Sequence, residues 1–526
     1  MPEMTLTEPR FPLSRRHTLK AAVAGLATGS LRLAAQPATA DRKPLQIVGS
    51  WEITGLAPAN SGYMFTRLQV TETLAGAADD GTPEAALAER WSVSTDGLAW
   101  RFFLRPKARF HDGTPVTAAA AVRCLQTARV PPSLLSQAPI QAVEAEGAGT
   151  VVIRLKSPYA GLPSLLAHSS TMVLAPSSYE PGGKVRRIVG SGPYRIETLA
   201  PPQSVETVVF EGYDGPRPAI ERVHYLTVSR AETRALMAES GQADLAYAID
   251  PVSMTRLKKR ASAHVAVVTL PRTAALKLNA GHPALKDVRV RRALSLAIDR
   301  AGIAKALLRD PGLAAGQLFP PTLEGWHDLA LPPLAHDPAQ AARLLAEAGW
   351  KRGPDGLRDA RGRPLDLVMR TFVDRPELPV LASALQEQFR QAGIAVQVAI
   401  GNSGDVPLGH RDGSLELALM ARNYATVPDP TGTLLQDFGP KGGDWGAMGW
   451  SSPSLQQALA ELARGTASPE RTRALRTQVA RVLQDELPII PIAWYRQQVA
   501  VSPRLAGVVL DPLERSYRLT RMAWQA

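Results

Sequence analysis

The residues of this chain best suited to acid–base chemistry or metal binding are its nine histidines, and they are scattered along the sequence. No two of them stand three or four positions apart beside an acidic residue, the spacing by which a zinc protease brings two ligands to one helix face. The sequence also lacks a Gly-x-Ser-x-Gly nucleophile elbow and a P-loop. It therefore predicts no enzyme, no bound metal and no cofactor.

Two short motifs nevertheless have the residue types of a functional site. His111-Asp112 pairs a base with a group that would orient it, but the pair stands in a turn beside Gly113, so we expect a structural role. Gly190-Ser191-Gly192 resembles the start of a phosphate loop but lacks the third glycine and the following helix, and it predicts a sharp turn instead. A secreted hydrolase stays the competing class, and the sequence offers it no nucleophile.

The elements that must position His111 lie on either side of it. Residues 91–93 predict a short strand, and Asp96-Gly97 predicts a tight turn because glycine accepts a positive φ. The return strand alternates, and one face carries Leu98, Trp100, Phe102 and Leu104. After a second turn, Thr117 predicts the N-cap of a helix over residues 118–124.

Composition places the chain among globular proteins. It has 526 residues, 45% of them apolar and 21% charged, enough for two to three domains with their own cores. Its one cysteine, Cys124, excludes an internal disulfide and predicts a small core residue.

The net charge of +12 is spread along the chain, not gathered in one block. The densest cluster, residues 289–292, opens a predicted helix in which the arginines fall largely off the apolar stripe, so we expect a solvated face. No nucleic-acid module is recognisable, and a nucleic-acid or membrane-surface protein would need its charge clustered. The charge favours anionic ligands or an anionic membrane surface.

The N-terminus has the pattern of an export signal. Arg15-Arg16 precede a mostly apolar run over residues 21–35, and small residues at 38 and 40 mark a cleavage site near Ala40. The pattern resembles a twin-arginine signal with Thr18 in place of the usual phenylalanine. No later segment reaches the length of a membrane span, so we expect a periplasmic, monomeric mature chain.

Further along, several helices and strands are predicted. Residues 61–74 indicate a loop entering a helix with Tyr63, Met64 and Phe65 near its start, and residues 287–308 indicate one long helix. Asp337 and Pro338 open the best-capped helix of the chain, which runs to residue 348. The alternation of helices and strands from residue 337 to 398 predicts a mainly parallel sheet.

The stretch from residue 87 to 124 resembles the signature of the oligopeptide-, dipeptide- and nickel-binding proteins of bacterial ABC importers, which are the family 5 extracellular solute-binding proteins. Its LA..W.VS.DGL.W.F.LR....FHDG pattern is nearly continuous here, although Ala118-Ala119-Ala120 stand where acidic residues are usual. Further family strings follow in order over residues 189–196, 243–246, 276–279, 337–350 and 487–492. The resemblance extends from about residue 44 to the C-terminus.

The resemblance implies a class II periplasmic-binding-protein fold, in which two α/β lobes enclose a cleft and an α+β subdomain is inserted. After the signal at 1–40, lobe I would comprise 41–74, 187–272 and 488–526, the inserted subdomain 75–186, and lobe II 273–487. Two crossings, near residues 270–279 and 487–494, would act as hinges. The implied function is capture of a small solute or peptide and its delivery to the permease subunits of an ABC importer.

The clue to the ligand lies in residues 421–430. Peptide-binding members usually carry an aspartate where this chain has Thr426, and that carboxylate pairs with the peptide's α-amino group. Nickel-binding members also lack it, and Arg422, Tyr424 and Met64 match their pattern, but the loop over residues 438–445 has no histidine. The resemblance therefore implies a chelate-like or amine-poor ligand, with Asp429 as the alternative anchor for a peptide and a nickel chelate as the alternative ligand.

Seven residues are candidates for contact with the ligand. Arg422 and Arg129 would meet a carboxylate or phosphate, since guanidinium groups bind such groups bidentately. The aromatic candidates would stack on the ligand or pack in the core, and both readings stay open. The full set is Tyr63, Met64, Arg129, Arg422, Tyr424, Thr426 and Trp445.

Overall fold

The structure is a computed structural model that describes residues 43–131, 133–260, 262–354 and 356–525, so the predicted export signal lies outside the described residues. Its strands are β1 (Leu45–Gly49), β2 (Ala75–Ala77), β3 (Pro83–Ala85), β4 (Ala88–Val93), β5 (Ala99–Leu104), β6 (Ile140–Glu146), β7 (Thr150–Leu155), β8 (Tyr194–Ala200), β9 (Ser204–Val209), β10 (Arg222–Thr227), β11 (Leu245–Ala246), β12 (His264–Leu278), β13 (Lys351–Gly353), β14 (Gly356–Arg358), β15 (Asp366–Phe372), β16 (Ala395–Gly401), β17 (Leu417–Asn423), β18 (Ile489–Val501), β19 (Leu505–Ala506) and β20 (Ala523–Trp524).

The helices lie between these strands and cover them. They are α1 (Pro58–Arg67), α2 (Ala118–Ala128), α3 (Leu162–Leu165), α4 (Ala231–Glu239), α5 (Pro251–Leu257), α6 (Val288–Leu296), α7 (Arg300–Ala306), α8 (Pro338–Glu347), α9 (Glu377–Gln391), α10 (Asp405–Asp412), α11 (Pro430–Asp437), α12 (Pro453–Arg464) and α13 (Pro469–Glu486). Within the described ranges, none of them is long and apolar enough to cross a lipid bilayer.

One ten-stranded sheet, in the order β16-β15-β17-β12-β18-β11-β1-β10-β9-β8, runs through the molecule. At its centre β12 and β18 pair antiparallel along nearly their whole length. On its other edge β12 pairs with β17, which leads into one half of the sheet. On its other edge β18 pairs with β11, which leads into the opposite half. β12 and β18 are the two crossing strands that the sequence predicts.

The prediction of a mainly parallel sheet is wrong for this sheet as a whole. Parallel pairing occurs locally, between β15 and its neighbours β16 and β17 and between β1 and its neighbours β10 and β11. The crossing strands pair antiparallel, as do β8, β9 and β10. Strands that cross between the halves in opposite directions can pair only antiparallel, and the local alternation of helix and strand carries no information about them.

The predicted hairpin and capped helix are confirmed. β4 and β5 pair antiparallel in a separate four-stranded sheet, and Trp100, Phe102 and Leu104 are buried on one face of β5. The hydroxyl of Thr117 accepts a hydrogen bond from the backbone N–H of Ala120 at the start of α2. Cys124 belongs to that helix and is buried in the core, as predicted.

Two helix predictions are wrong in detail. Pro58 begins α1, because its fixed φ suits a first helical turn, and Tyr63 to Phe65 therefore lie in the second half of that helix. The predicted long helix over residues 287–308 is two helices, α6 and α7, because the side chain of Asp299 caps a new helix by accepting from the N–H of Gly302. In α6, Arg291 is buried and its guanidinium donates to the carbonyl oxygens of Leu285, Lys286 and Glu486, so it does not belong to a solvated face.

Candidate functional site

A cavity of about 630 Å³ lies beside β12 and β17 of the central sheet, and we call it the main cavity. One wall comes from α1, from His168 and Ser169, and from residues 511–521 near the C-terminus. The facing wall comes from Arg272 at the middle of β12, Asn423 at the end of β17, and Thr426. A cavity of this size accommodates a small organic ligand.

The close approach of backbones near this cavity explains the Gly190-Ser191-Gly192 turn. A Cβ on Gly190 or Gly192 would lie 2.1 Å from the carbonyl oxygen of Val70 or Gln69, so only glycine fits. The ring of His111 contacts the carbonyl oxygen of Gly192 at 3.0 Å, and burial lowers the pKa of that ring to about 4. His111 is therefore a structural part of this turn, as the sequence analysis expects.

Arginines dominate the charged lining of the main cavity, and most of them are neutralised by carboxylates. Arg105 pairs with Glu72 at 3.0 Å and with Asp214 at 2.9 Å, and Arg518 pairs with Asp79 and Asp511. Arg515 lies 3.9 Å from Asp511. The inner end of the cavity holds two more arginines, Arg67 and Arg272, in different environments.

Arg272 belongs to a buried ionic network at the centre of the sheet. Both of its terminal nitrogens donate to the carboxylate of Glu514, one of them at 2.9 Å, and the side-chain amide of Asn423 donates to the same carboxylate at 3.0 Å. Burial would raise the pKa of Glu514, but the charges of Arg272, Arg375 and Arg67 lower it to about 2. The network therefore stays ionised at neutral pH and ties β12, β17 and the C-terminal segment together.

Arg67 ends α1 and points its charge into the same region without a carboxylate of its own. Its Nε donates to the backbone carbonyl oxygen of Glu514 at 2.8 Å, and its Nη1 is buried without a hydrogen-bond partner. The rings of Trp51 and Tyr63 lie 4.7 and 5.2 Å from its Cζ. Two aromatic faces thus hold the guanidinium group at the cavity wall.

A second cavity of about 610 Å³ adjoins the first on the other side of residues 426–428. Its lining includes Asp80, Tyr159, Trp326, Asp429 and Arg476. Gly81 and Pro428 both line this second cavity, and a Cβ on Gly81 would lie 2.7 Å from the carbonyl oxygen of Pro428. The side chain of Asp429 caps α11 by accepting from the N–H of Thr431.

Two of the seven residues predicted to contact a ligand line the main cavity. Tyr63 lies at its wall with its hydroxyl 3.3 Å from the carbonyl oxygen of Glu52. Thr426 lines it from the facing side, and its hydroxyl lies 3.4 Å from that of Thr433. The structure therefore brings these two predicted residues together.

Met64, Arg422 and Tyr424 have other surroundings. Met64 and Tyr424 are fully buried in hydrophobic clusters, where Tyr424 packs edge-on against Phe319. Arg422 donates through Nε and Nη2 to the two carboxylate oxygens of Asp437, each at 2.7 Å. In the structure these side chains therefore serve the core and not the cavity surface.

Trp445 and Arg129 lie outside the linings of both cavities. Trp445 packs edge-on against Phe372 with the ring centroids 6.1 Å apart. Arg129 follows the last turn of α2, and its Nη1 donates to the carbonyl oxygen of Gln141 at 3.5 Å. Arg67, Arg272 and Glu514 were not predicted from the sequence. Only Arg67 had a local indication of a role, because it lies two positions after Tyr63, Met64 and Phe65.

The lining does not form a recognisable catalytic centre. The ring of His168 contacts the hydroxyl of Ser170 at 2.8 Å, which pairs a histidine with a hydroxyl. Burial and the nearby Arg422 lower the pKa of His168 to about 4, so it is a poor general base at neutral pH. Over the described part of the chain, no group of three or more His, Cys, Asp or Glu residues is placed to hold a metal ion.

Comparisons with known proteins show what this chain is similar to. The middle region of the bacterial extracellular solute-binding proteins of family 5 matches residues 82–445. The nickel-binding periplasmic protein of Escherichia coli K12 is 26% identical over 492 residues, which cover 89% of this chain and 93% of that protein. The glutathione-binding protein GsiB of Salmonella typhi is 30% identical over 393 residues, or 73% of each chain. The crystal structure of NikA from Brucella suis in complex with Fe(III)-EDTA is 25% identical with a TM-score of 0.79, covering 91% of this chain and all of that one.

Proposed function

This chain belongs to family 5 of the bacterial extracellular solute-binding proteins, and we propose that it holds its solute in the main cavity. One observation carries this proposal: α1 and residues 511–521, which belong to the proposed lobe I, line one side of that cavity, and Asn423 and Thr426, which belong to the proposed lobe II, line the other. A solute there touches both walls at once, so it favours the conformation in which they are close. The protein delivers the solute to the permease of an ABC importer and does not alter it chemically.

The division into lobes is part of this proposal. Lobe I comprises 41–74, 187–272 and 488–526, lobe II comprises 273–487, and the subdomain over 75–186 is inserted in lobe I. Contacts that join these parts support closure, because Ser50 donates to the carbonyl oxygen of Asp374 at 2.7 Å and the N–H of Ala160 donates to that of Ala463 at 3.0 Å.

The solute is peptide-like or a metal chelate, and its binding does not depend on a free α-amino group. Thr426 supplies a neutral hydroxyl at the wall of the main cavity, while the carboxylate of Asp429 lies in the second cavity and caps α11. An ammonium group buried at Thr426 would have no counter-charge there, which is unfavourable. The ligands named for the relatives, glutathione and a metal–EDTA complex, support both candidates.

The protein works in the periplasm as a monomer. The periplasmic relatives support this location, and the twin-arginine pattern with cleavage near Ala40 supplies the route. A folded chain crosses by that route, so solute and protein can meet before or after export.

Native mass spectrometry of the protein purified from its own periplasm tests the function directly. We expect a bound solute of defined mass that is released on unfolding. Calorimetry with glutathione, with N-acetylated and free tripeptides, and with a nickel–histidine chelate then separates the candidates. Tight binding of only the free tripeptides, lost on acetylation, would contradict the role given to Thr426. A chain that carries no solute and binds none of these would contradict the proposed function.

A further inference from the structure

The inner end of the main cavity carries more positive than negative charge. Two arginines of the lining, Arg67 and Arg272, face the single carboxylate of Glu514 and interact with it electrostatically. Glu377, the other acid of this region, lies beyond the cavity and is close to Arg375. A buried excess of charge is costly unless a partner of opposite sign reaches it.

In the structure the carboxylate of Glu514 makes no hydrogen bond to Arg67. One carboxylate oxygen receives Nη1 of Arg272, and the other receives Nη2 of Arg272 and the amide of Asn423. Arg67 donates to the backbone carbonyl oxygen of Glu514, and the neutral hydroxyl of Tyr517 is also close to it. The acids elsewhere in the lining are Glu72, Asp79, Glu84 and Asp511. Glu72 pairs with Arg105, Asp79 and Asp511 pair with Arg518, and Glu84 interacts electrostatically with Arg515.

Arg67 is also held ready for a ligand. Its guanidinium group lies against the rings of Trp51 and Tyr63. Its hydrogen bond to the backbone carbonyl oxygen of Glu514 fixes the orientation of the guanidinium plane. A group held in this way loses little conformational freedom on binding. Tyr63 and Thr426 line the same cavity and offer hydroxyl groups to a polar ligand.

From this arrangement we infer that Arg67 is a specificity-determining residue that receives a carboxylate group of the solute, so that the protein selects solutes carrying at least one free carboxylate. The inference rests on the proposed function and goes beyond it by naming the charged group and the residue that binds it. It replaces the role that the sequence analysis gave to Arg422, whose guanidinium is already engaged by Asp437.

Calorimetry with glutathione and with glutathione dimethyl ester tests the inference, because the two differ only in their carboxyl groups. We expect the wild-type protein to prefer the acid by about tenfold or more, since a charge-assisted pair outweighs a neutral hydrogen bond. In Arg67→Gln the preference should disappear, because affinity for the acid falls and affinity for the ester does not. Arg67→Lys keeps the positive charge but not the paired N–H donors of the guanidinium group, so it should keep part of the preference.

Arg129→Gln is the matched control. Arg129 also stands at the C-terminal end of a helix and also donates to a backbone carbonyl oxygen, but it lies outside both cavities. We expect it to leave the preference unchanged. If Arg67→Gln lowers affinity for acid and ester equally, or keeps the tenfold preference, the inference is overturned.

Glutathione need not be the natural solute, and native mass spectrometry covers that case. If glutathione does not bind, the solute retained from the periplasm and its methyl ester take its place in the same comparison. A retained solute without a carboxyl group would overturn the inference and leave the proposed function standing. A wild-type protein that neither retains nor binds any solute would overturn the proposed function itself.

Discussion

The side chain of Asp437 is only 1% exposed, and its negative charge is neutralised by an ion pair with Arg422. Burial raises the pKa of Asp437, and the charge and hydrogen bonds of Arg422 oppose that rise. Removing one partner of such a pair leaves the other charge buried and unpaired, which costs far more than losing an exposed pair. Substitution of Arg422 should therefore act on stability before it acts on binding.

We expect Arg422→Ala to lower the free energy of unfolding by about 3–5 kcal/mol, as measured by urea denaturation. Arg411→Ala is the control, because Arg411 pairs with Asp444 at the same 2.7 Å but in an exposed position. That variant should change stability by less than about 1 kcal/mol. If both variants changed the free energy of unfolding by equally small amounts and only Arg422→Ala lost affinity for the solute, Arg422 would instead be a ligand-binding residue.

Lys277 is a buried amine whose charge depends on pH near neutrality. Its Nζ lies 2.8 and 2.9 Å from the carbonyl oxygens of Gly443 and Asp444 and 2.9 Å from Nδ1 of His410. Burial lowers its pKa to about 7. The neutral amine suits this site, since it can donate to both carbonyl oxygens and accept from the ring of His410.

The pH dependence of stability follows from that shift. Above pH 7 the unfolded chain keeps the Lys277 proton, with a pKa of about 10.4, while the folded protein loses it. Because the unfolded state binds more protons, the free energy of unfolding rises with pH between about 7 and 10, by at most about 1.4 kcal/mol per pH unit. Lys277→Met removes this pH-dependent contribution. In urea denaturation, the free energy of unfolding of the wild type minus that of the variant should therefore increase from pH 7 to 9.5. A difference independent of pH would contradict a neutral Lys277.

At the scale of elements, local patterns predicted those parts whose determinants are local. The β4–β5 hairpin follows from alternation and Asp96-Gly97, and the cap of α2 follows from Thr117. The break between α6 and α7 was missed, although Ile303 falls on the opposite face from Leu294 in a continuous helix; the cap at Asp299 starts a new helix and so restores burial of Ile303. Burial of Arg291 was missed because its acceptors include the carbonyl oxygen of Glu486, 195 positions away in the chain.

The loop between β2 and β3 offers a test of closure. Gly81 has a φ of +87° and touches Pro428, whereas Gly113 has a φ of +83° and open space around its Cα. Gly81→Ala and Gly113→Ala therefore carry the same backbone cost, but only the first obstructs the contact between the loops. We expect Gly81→Ala, but not Gly113→Ala, to weaken solute binding, because affinity falls with the population of the closed state. Small-angle scattering with saturating solute should also record less compaction for Gly81→Ala. Equal behaviour of the two variants would show that this contact does not limit closure.

At the scale of the whole molecule, the resemblance to family 5 predicted the architecture, but no local pattern could assemble the cavity. Arg67 and Glu514 are 447 positions apart, and they meet only because the C-terminal segment returns to α1. Arg422 and Tyr424 were predicted because they match the pattern of the nickel-binding members, but that pattern does not show that Tyr424 is fully buried or that Arg422 pairs with Asp437. Thr426 was predicted because it stands where peptide-binding members carry an aspartate, and Tyr63 was predicted because the resemblance implies that its segment borders the cleft.

Export by the twin-arginine route is the prediction that concerns the full-length precursor. Changing Arg15 and Arg16 to lysine should leave the precursor in the cytoplasm, while Arg32→Lys in the apolar run makes the same chemical change and should allow export. Cell fractionation followed by N-terminal sequencing measures both, with a mature terminus expected near Asp41. Mature protein outside the cytoplasm in the double variant would contradict the route.

The position of β18 has a consequence for the order in which this protein can be made. The last long strand of the chain, residues 489–501, lies in the middle of the sheet and separates β12 from β11. Until the ribosome has synthesised it, β11 and β12 both present unpaired edges, and the two halves of the sheet cannot join. The chain is therefore expected to complete its fold only after nearly all of it has left the ribosome, and a nascent chain stalled before residue 489 should stay sensitive to protease and dependent on chaperones.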